Sequence, residues 1–492
     1  MPKSEENDLE ILVLSLKKLS AKKFRKQLKS ISLKDSPIKL ILFDSIQKNT
    51  FDKNSFIKKH KLKLSKFNYI KFELFQDVIN HLKIHPDEYT GIALQNETIE
   101  FELLLKNGLY IKANRKLKRI KKIAVERCDF KLAYSLQRKA LTYRLFEHID
   151  KVVSLKKTSK EIIEYLQLEA NLNAYVLLNY EILELHYEFL DRRVKDRLII
   201  LKYLDNDLLQ HESKAKSILA KYHFYLIKSL IYIGDNDYKQ SKKYALLAYK
   251  HLSINSSKYR NDYTHCMIAL NNYLDSSLNL LETEPFEATY PKMIELANST
   301  NKKDIYSEFQ TFQQLCSLHL NYLWLKKDFT SFLAYTKYFE KSYVKYEANL
   351  SPNFKLEILL GLARMYFWNG DLKEANTFCE QIASEKSNPT LLFMACGNLL
   401  RVMINIDMGN YKLIAHLINT GKYFLKSRDR LFEVERCFFN GINKVKSFYS
   451  ENQKNKLFEN LYEEVSLILL ESEEMVIDKK IDLIKWLKQK IE

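Results

Sequence analysis

Lys112, Arg115, Arg119 and Lys122 follow one another at i, i+3, i+7 and i+10. On a helix that spacing puts four cations along one side, where they can meet successive phosphates or the carboxylates of an acidic partner. Lys116 adds a fifth charge to the run. Lys22, Lys23, Arg25 and Lys26 form a second group in LKKLSAKKFRKQLK, and KKHKLKLSK at 58–66 a third. Residues 1–160 hold 36 Lys and Arg against 18 Asp and Glu, whereas residues 161–492 hold 43 of each, so the whole net charge of +18 belongs to the first third. A compositional bias toward lysine would have spread the excess along the chain. The nine named residues are therefore candidates for contact with RNA, DNA, an acidic protein or an anionic membrane surface, by binding that weakens steeply with salt. The competing reading is a solvated helix face. Phe67, Tyr69 and Phe72, beside Lys66 and Lys71, can stack on bases. Tyr69 and Phe72, three apart, fit one face of a packed helix better, and core packing is the expectation.

Other reactive residue types are thinly placed. His81 and His85 stand four apart, a spacing that can share a metal, but only Asp87 and Glu88 are near in sequence and helix-end histidines are expected. His265 adjoins Cys266, yet neighbours on a helix point about 100° apart, so no activated thiolate is expected. Glu188 and Arg192, at i and i+4, read as a surface ion pair. Glycine-rich phosphate loops, HExxH, GxSxG and CxxC motifs are absent from the sequence. These residues point away from an enzyme and call for no cofactor or metal.

The elements that would carry the charges are helical. Ala113, Leu117, Ile120 and Ala124 recur at i, i+4, i+7 and i+11, which makes one apolar stripe. Nine glycines and seven prolines in 492 residues fall far below the roughly 12% of an average chain, which disfavours a turn-rich sheet protein. A short punctuation repeats instead: GLYIKA from Gly108, CDFKLA from Cys128, GDNDYKQS from Gly234, KDFTSF around Asp328, GDLKEA from Gly370 and GNYKLIA from Gly409. Each is a tight break, then an aromatic or leucine, then a small residue where two helices press together, and the glycines are expected at positive φ. A period near 40 residues suits antiparallel helical hairpins stacked into a solenoid.

The segment LLGLARMYFWNGDLKEANTFCEQIASEKSNP, Leu359 to Pro389, resembles a tetratricopeptide repeat. Leu362, Ala363, Tyr366, Gly370 and Ala375 occupy the places of its leucine, first small residue, tyrosine, turn glycine and second small residue. Cys379 and Ile382 depart from the pattern, and the closing proline arrives late as Pro389. The other units, across residues 95–450, share turn and period alone. The resemblance implies an all-α solenoid that holds a peptide or partner protein in its groove without catalysing a reaction.

The organisation expected is a basic N-terminal helical module over 1–92, a solenoid over 93–470 and a C-terminal capping helix over 471–492. In the module, Leu12, Leu16 and Leu19 share a face, and Ser36 caps a helix opened by Pro37. The last helix carries Ile477, Ile481, Ile484, Leu487 and Ile491, with Lys480 and Lys488 intruding on the stripe. Six scattered cysteines, no secretory signal and no spanning run of apolar residues suggest a cytoplasmic protein. Its expected function is an adaptor or regulator holding a protein or peptide partner, with nucleic-acid binding and a structural role in a larger assembly as alternatives. Oligomeric state is left open.

Overall fold

The structure, a computed structural model, describes residues 8–16, 18–30, 36–84, 91–143, 155–189, 197–255, 263–299, 305–346, 350–385, 391–445, 451–471 and 475–492. His85, Arg192 and Pro389 lie outside them, as do the side chains of Leu19, Ser36 and Glu188. Among the described residues the chain is all helical, without a strand.

Five helices come first: α1 (Asp8–Ser15), α2 (Lys18–Ser30), α3 (Ser36–Gln47), α4 (Lys53–Lys59) and α5 (Leu64–Ile84). Then follow α6 (Gly91–Lys106), α7 (Tyr110–Glu126), α8 (Phe130–Thr142), the long α9 (Leu155–Phe189), and the short α10 (Arg197–Lys202) and α11 (Asp207–Gln210). From there the chain runs in hairpins: α12 (Ile218–Gly234) with α13 (Tyr238–Ile254), α14 (Tyr263–Asn279) with α15 (Glu284–Ser299), and α16 (Ile305–Lys326) with α17 (Phe329–Tyr346). The series continues with α18 (Pro352–Asn369) and α19 (Leu372–Ala383), α20 (Leu391–Asp407) and α21 (Tyr411–Lys426), and α22 (Glu433–Val445) and α23 (Glu451–Glu471). Two short helices close it, α24 (Met475–Ile481) and α25 (Leu483–Gln489). Consecutive helices pack on one another, as an α-solenoid requires.

The chain divides into two compact units. One is Met1–Val125, Asp129–Tyr165 and Asn301–Glu308, and the other is Glu126–Cys128, Leu166–Thr300 and Phe309–Glu492. In the first unit buried side chains gather in two clusters, one around Phe24, Phe43, Phe67 and Leu74, the other around Phe101, Leu117, Ile120 and Leu136. The stripe Ala113, Leu117, Ile120 and Ala124 is buried, so α7 is seated by the face its periodicity indicated. In α1, Leu16 is buried and Leu12 half-buried.

The repeating break is a left-handed residue closing a helix. Gly108, Cys128, Asn236, Leu281, Lys327, Gly370 and Gly409 all have φ between 54° and 91°. At Gly370 the N–H bonds to the Phe367 carbonyl and the next N–H, of Asp371, reaches back to Tyr366. Leu109 to Leu104, Asp328 to Leu323 and Asn410 to Asn405 repeat that long return bond, which satisfies carbonyls the helix end would otherwise leave bare. The following residue caps the next helix: Asp129, Asp237 and Asp328 accept the N–H of Leu132, Gln240 and Ser331. One expectation fails here. Gly234 is not the hinge, because the positive φ falls on Asn236. Gly234 ends α12 where a Cβ would meet the Ile200 side chain at 2.7 Å, so its glycine serves close packing.

A second expectation also changes. The single helix foreseen over 471–492 is two, because Asp482 takes φ 54° and turns the chain. Ile477, Ile481 and Leu487 are buried, as are Leu483 and Trp486, whereas Ile484 and Ile491 are half-buried.

Candidate functional site

On α2, Lys22, Lys23, Arg25 and Lys26 are exposed, opposite buried Ala21, Phe24 and Leu28. On α7, Lys112, Arg115, Arg119 and Lys122 are exposed, opposite the apolar stripe. Arg25, Lys116 and Arg119 are already ion-paired. Arg25 forks onto Asp44 at 2.7 Å through two nitrogens, half-buried Lys116 meets Glu100 at 2.8 Å, and Arg119 meets Glu97 at 3.0 Å. The core packing expected of Tyr69 and Phe72 is not found. Phe67 is buried, but Tyr69 and Phe72 are 50% and 60% exposed on α5, with the Lys66 ammonium 4.9 Å from the Tyr69 ring centroid. A three-residue spacing put the two rings on one face without saying which face.

His81 and Cys266, read in the sequence beside a possible metal pair and a possible thiolate, are buried, and His265 is half-buried. His81 is buried, with Nδ1 2.9 Å from Gln27 Oε1 and Nε2 3.2 Å from Ser20 Oγ. Cys266 is buried, while the ring of His265 lies 4.9 Å from that of Tyr222. Among the described residues no group of His, Cys, Asp and Glu is arranged to hold a metal ion. Burial pushes the thiols of Cys316 and Cys396 up to about 12, and that of Cys437, beside Glu464, equally far. A thiol so disfavoured as thiolate is a poor nucleophile.

The most developed site lies where helix ends gather in the second unit. Residues 475–492 rest on the C-terminal ends of α16, α18 and α20, the first helices of three successive hairpins. A helix leaves its last four carbonyls without partners. In α24 all four find one. Asp478 O accepts the Asp482 N–H at 2.7 Å, Lys479 O the Trp324 indole N–H at 3.3 Å, Lys480 O the Arg364 guanidinium at 3.3 Å, and Ile481 O the Trp368 indole N–H at 3.3 Å. Positive charge at this end also suits the helix dipole. Lys327, itself a left-handed hinge residue, bonds Asp482 at 2.6 Å and lies over the Trp324 ring. Farther on, Asp407 accepts the Trp486 indole N–H at 3.1 and 3.2 Å and pairs with Lys490 at 2.7 Å. The Asp478 carboxylate in turn accepts the Ile484 N–H, which caps α25.

Arg364 is the unusual member. It is 4% exposed, stacks on Trp324 at 4.7 Å and donates to Asn321 Oδ1 at 2.8 Å, while its Nε has no partner. Burial brings its pKa down to about 10 despite the fields of Glu357 and Asp482. On α14, Asp275 is pushed up to about 6 by burial, against the opposing charge of Lys480.

Sequence reasoning did not single out Trp324, Lys327, Arg364, Trp368 or Asp407. Two signals were present. The chain has three tryptophans, and all three belong to this contact. Arg364 also interrupts the apolar run LLGLARMYF. Comparison with family models, curated proteins and solved structures returns no match.

Proposed function

We propose that the chain is a cytoplasmic helical-repeat scaffold that holds a protein or peptide segment along the first helices of its second unit. One observation carries this reading: the row already grips a short helical segment, residues 475–492, through side chains from three successive hairpins. The tetratricopeptide likeness of Leu359–Pro389 supports it, since proteins of that kind are mostly scaffolds for peptides. Buried thiols with suppressed thiolate character favour a role without catalysis or cofactor, and six cysteines that form no disulfide suit a reducing compartment. The test is to pan a peptide-display library against the full chain. Enriched peptides should lose at least tenfold in affinity when Trp324→Ala and Trp368→Ala are combined with helicity retained. Peptides indifferent to both substitutions would sink the reading.

A second reading has its own support. In the first unit Tyr69 stands exposed beside Lys66, Phe72 is exposed on the same helix, and α2 and α7 each expose a row of cations. Aromatic faces among lysines suit single-stranded nucleic acid. Labelled RNA titrated against the full chain should bind with a steep salt slope that shrinks when Lys112, Arg115, Arg119 and Lys122 become Glu. Absence of binding at moderate salt removes this reading.

A further inference from the structure

We propose that residues 475–492 are a built-in ligand, and that Trp324, Lys327, Arg364 and Trp368 form a receptor for the C-terminal end of a short helix closed by an acidic residue. A partner segment with that ending takes the site by displacing the internal one. The inference rests on reading the first-helix row as a docking face, and it specifies what that face recognises.

The geometry matches one chemical object. Three donors from two hairpins meet three consecutive main-chain carbonyls, Lys479, Lys480 and Ile481. Consecutive carbonyls point the same way, and lack internal partners, only at the end of a helix. Recognition through them is blind to side chains, so any helix terminus presents it. Identity is read one residue later, where Lys327 meets the carboxylate of Asp482. It is read again a turn further, where Asp407 takes an indole N–H and an ammonium. The ligand class is therefore a short helix, then an acidic residue in a left-handed turn, then Trp and Lys at the spacing of Trp486 and Lys490.

The donors also explain why an internal ligand is present. Two indole N–H groups and a buried guanidinium facing no acceptor are costly to leave unpaired. The internal segment supplies their acceptors whenever no partner does. It does not saturate them, because Arg364 Nε stays without a partner and can donate to a further carbonyl or carboxylate from a better-matched segment. The site's apparent affinity for an outside segment falls in proportion to the fraction closed by the internal one.

The experiment uses the full chain and a synthetic peptide of residues 475–492 labelled at its N-terminus. Asp482→Lys in the protein places a cation against Lys327 and loosens the internal segment without touching the receptor side chains. The proposal expects saturable binding of the peptide, at least tenfold tighter to the Asp482→Lys protein than to the unaltered one, and at least tenfold weaker when the peptide itself carries Asp482→Lys. A second measurement needs no variant. Excess unlabelled peptide should accelerate amide exchange at 475–492 in the unaltered protein while α18 and α20 keep their protection. Equal affinities, or no binding to either protein with unchanged exchange, overturns the proposal. Library peptides that still depend on Trp324 and Trp368 would then leave the docking face standing, whereas their absence would remove both.

Discussion

Replacing Arg364 with Met should leave the stability of the protein nearly unchanged, although Arg364 is buried and makes two hydrogen bonds. Burial lowers its pKa from 12.5 to about 10. At ~1.4 kcal/mol per pH unit, that fall disfavours the charged form by about 3 kcal/mol. The sign follows from linkage. A base with a depressed folded pKa destabilises the fold at every pH below that value, and relief comes only as pH rises through about 10. Methionine removes this cost and can still lie on the Trp324 ring. It also leaves Asn321 Oδ1 and the Lys480 carbonyl without a donor, at about 1–3 kcal/mol each. The opposing contributions cancel to within about 3 kcal/mol, the usual outcome when a buried ion gives way to an apolar residue of similar volume. Arg364→Ala adds a cavity and should cost at least about 2 kcal/mol more. Urea unfolding followed by tryptophan emission checks both variants, because the chain's three tryptophans all sit at this contact. A loss above about 4 kcal/mol for Met would refute the reasoning, since Arg364 would then stabilise the fold outright. Near-neutrality would mean that the guanidinium is there to bind something.

Three other expectations are simpler. Gly370 has φ 91° with nothing within 4 Å of a Cβ, so Gly370→Val should cost ~1–2 kcal/mol from backbone strain alone and Gly370→Asn less, both read from melting curves. An unchanged midpoint for Val would remove the hinge. Reversing Lys112, Arg115, Arg119 and Lys122 to Glu should lower stability by about 1 kcal/mol or less, since all four side chains are exposed. A collapse of helicity in circular dichroism would show that this face is packed. In native protein the thiols should react slowly with iodoacetamide, because five of the six cysteines are buried and the sixth, Cys437, is held toward the thiol form. Fast labelling of more than one would contradict the packing.

The architecture was legible because its signals are local and repeated. Four residues at helical spacing on α7 announced its buried face, and Gly108, Gly370 and Gly409 announced three hinges. Glycine was also misleading. Cys128 and Lys327 adopt the same left-handed turn and were marked only by the residues that follow them, Leu281 was not marked at all, and Gly234 advertised a turn that belongs to Asn236. The candidate site was hidden for a different reason. Lys479 and Trp324 are 155 positions apart, and Ile481 and Trp368 are 113 apart, while periodicity reports only neighbours three and four residues away. Superposed turns of the solenoid bring such residues together, so the contact became visible only with the fold.

Acid should weaken the second unit before it affects charge pairing at the surface. Four of its histidines, His186, His223, His251 and His319, have pKa values lowered by burial, that of His223 to about 3. An imidazole depressed in the fold contributes stability that is complete above its unfolded value of 6.5 and is lost as pH falls toward the folded value. Between pH 6.5 and 5, His223 alone should withdraw about 2 kcal/mol at ~1.4 kcal/mol per pH unit. Asp275 acts in the opposite sense. Its pKa, raised from 3.8 to about 6, gives stability that is complete below 3.8 and lost as pH rises through about 6, so acidification favours the fold through this group. Burial raises the Asp478 carboxyl in the same sense, but four imidazoles outweigh two carboxyls, and urea midpoints followed by tryptophan emission should fall steadily from pH 7 to pH 5. His223→Leu should flatten that slope, and Asp275→Asn should steepen it. A midpoint that held constant over this range, or a slope indifferent to His223→Leu, would mean that these histidines are hydrated in the native protein and would undo the buried hairpin core on which the proposed docking face stands.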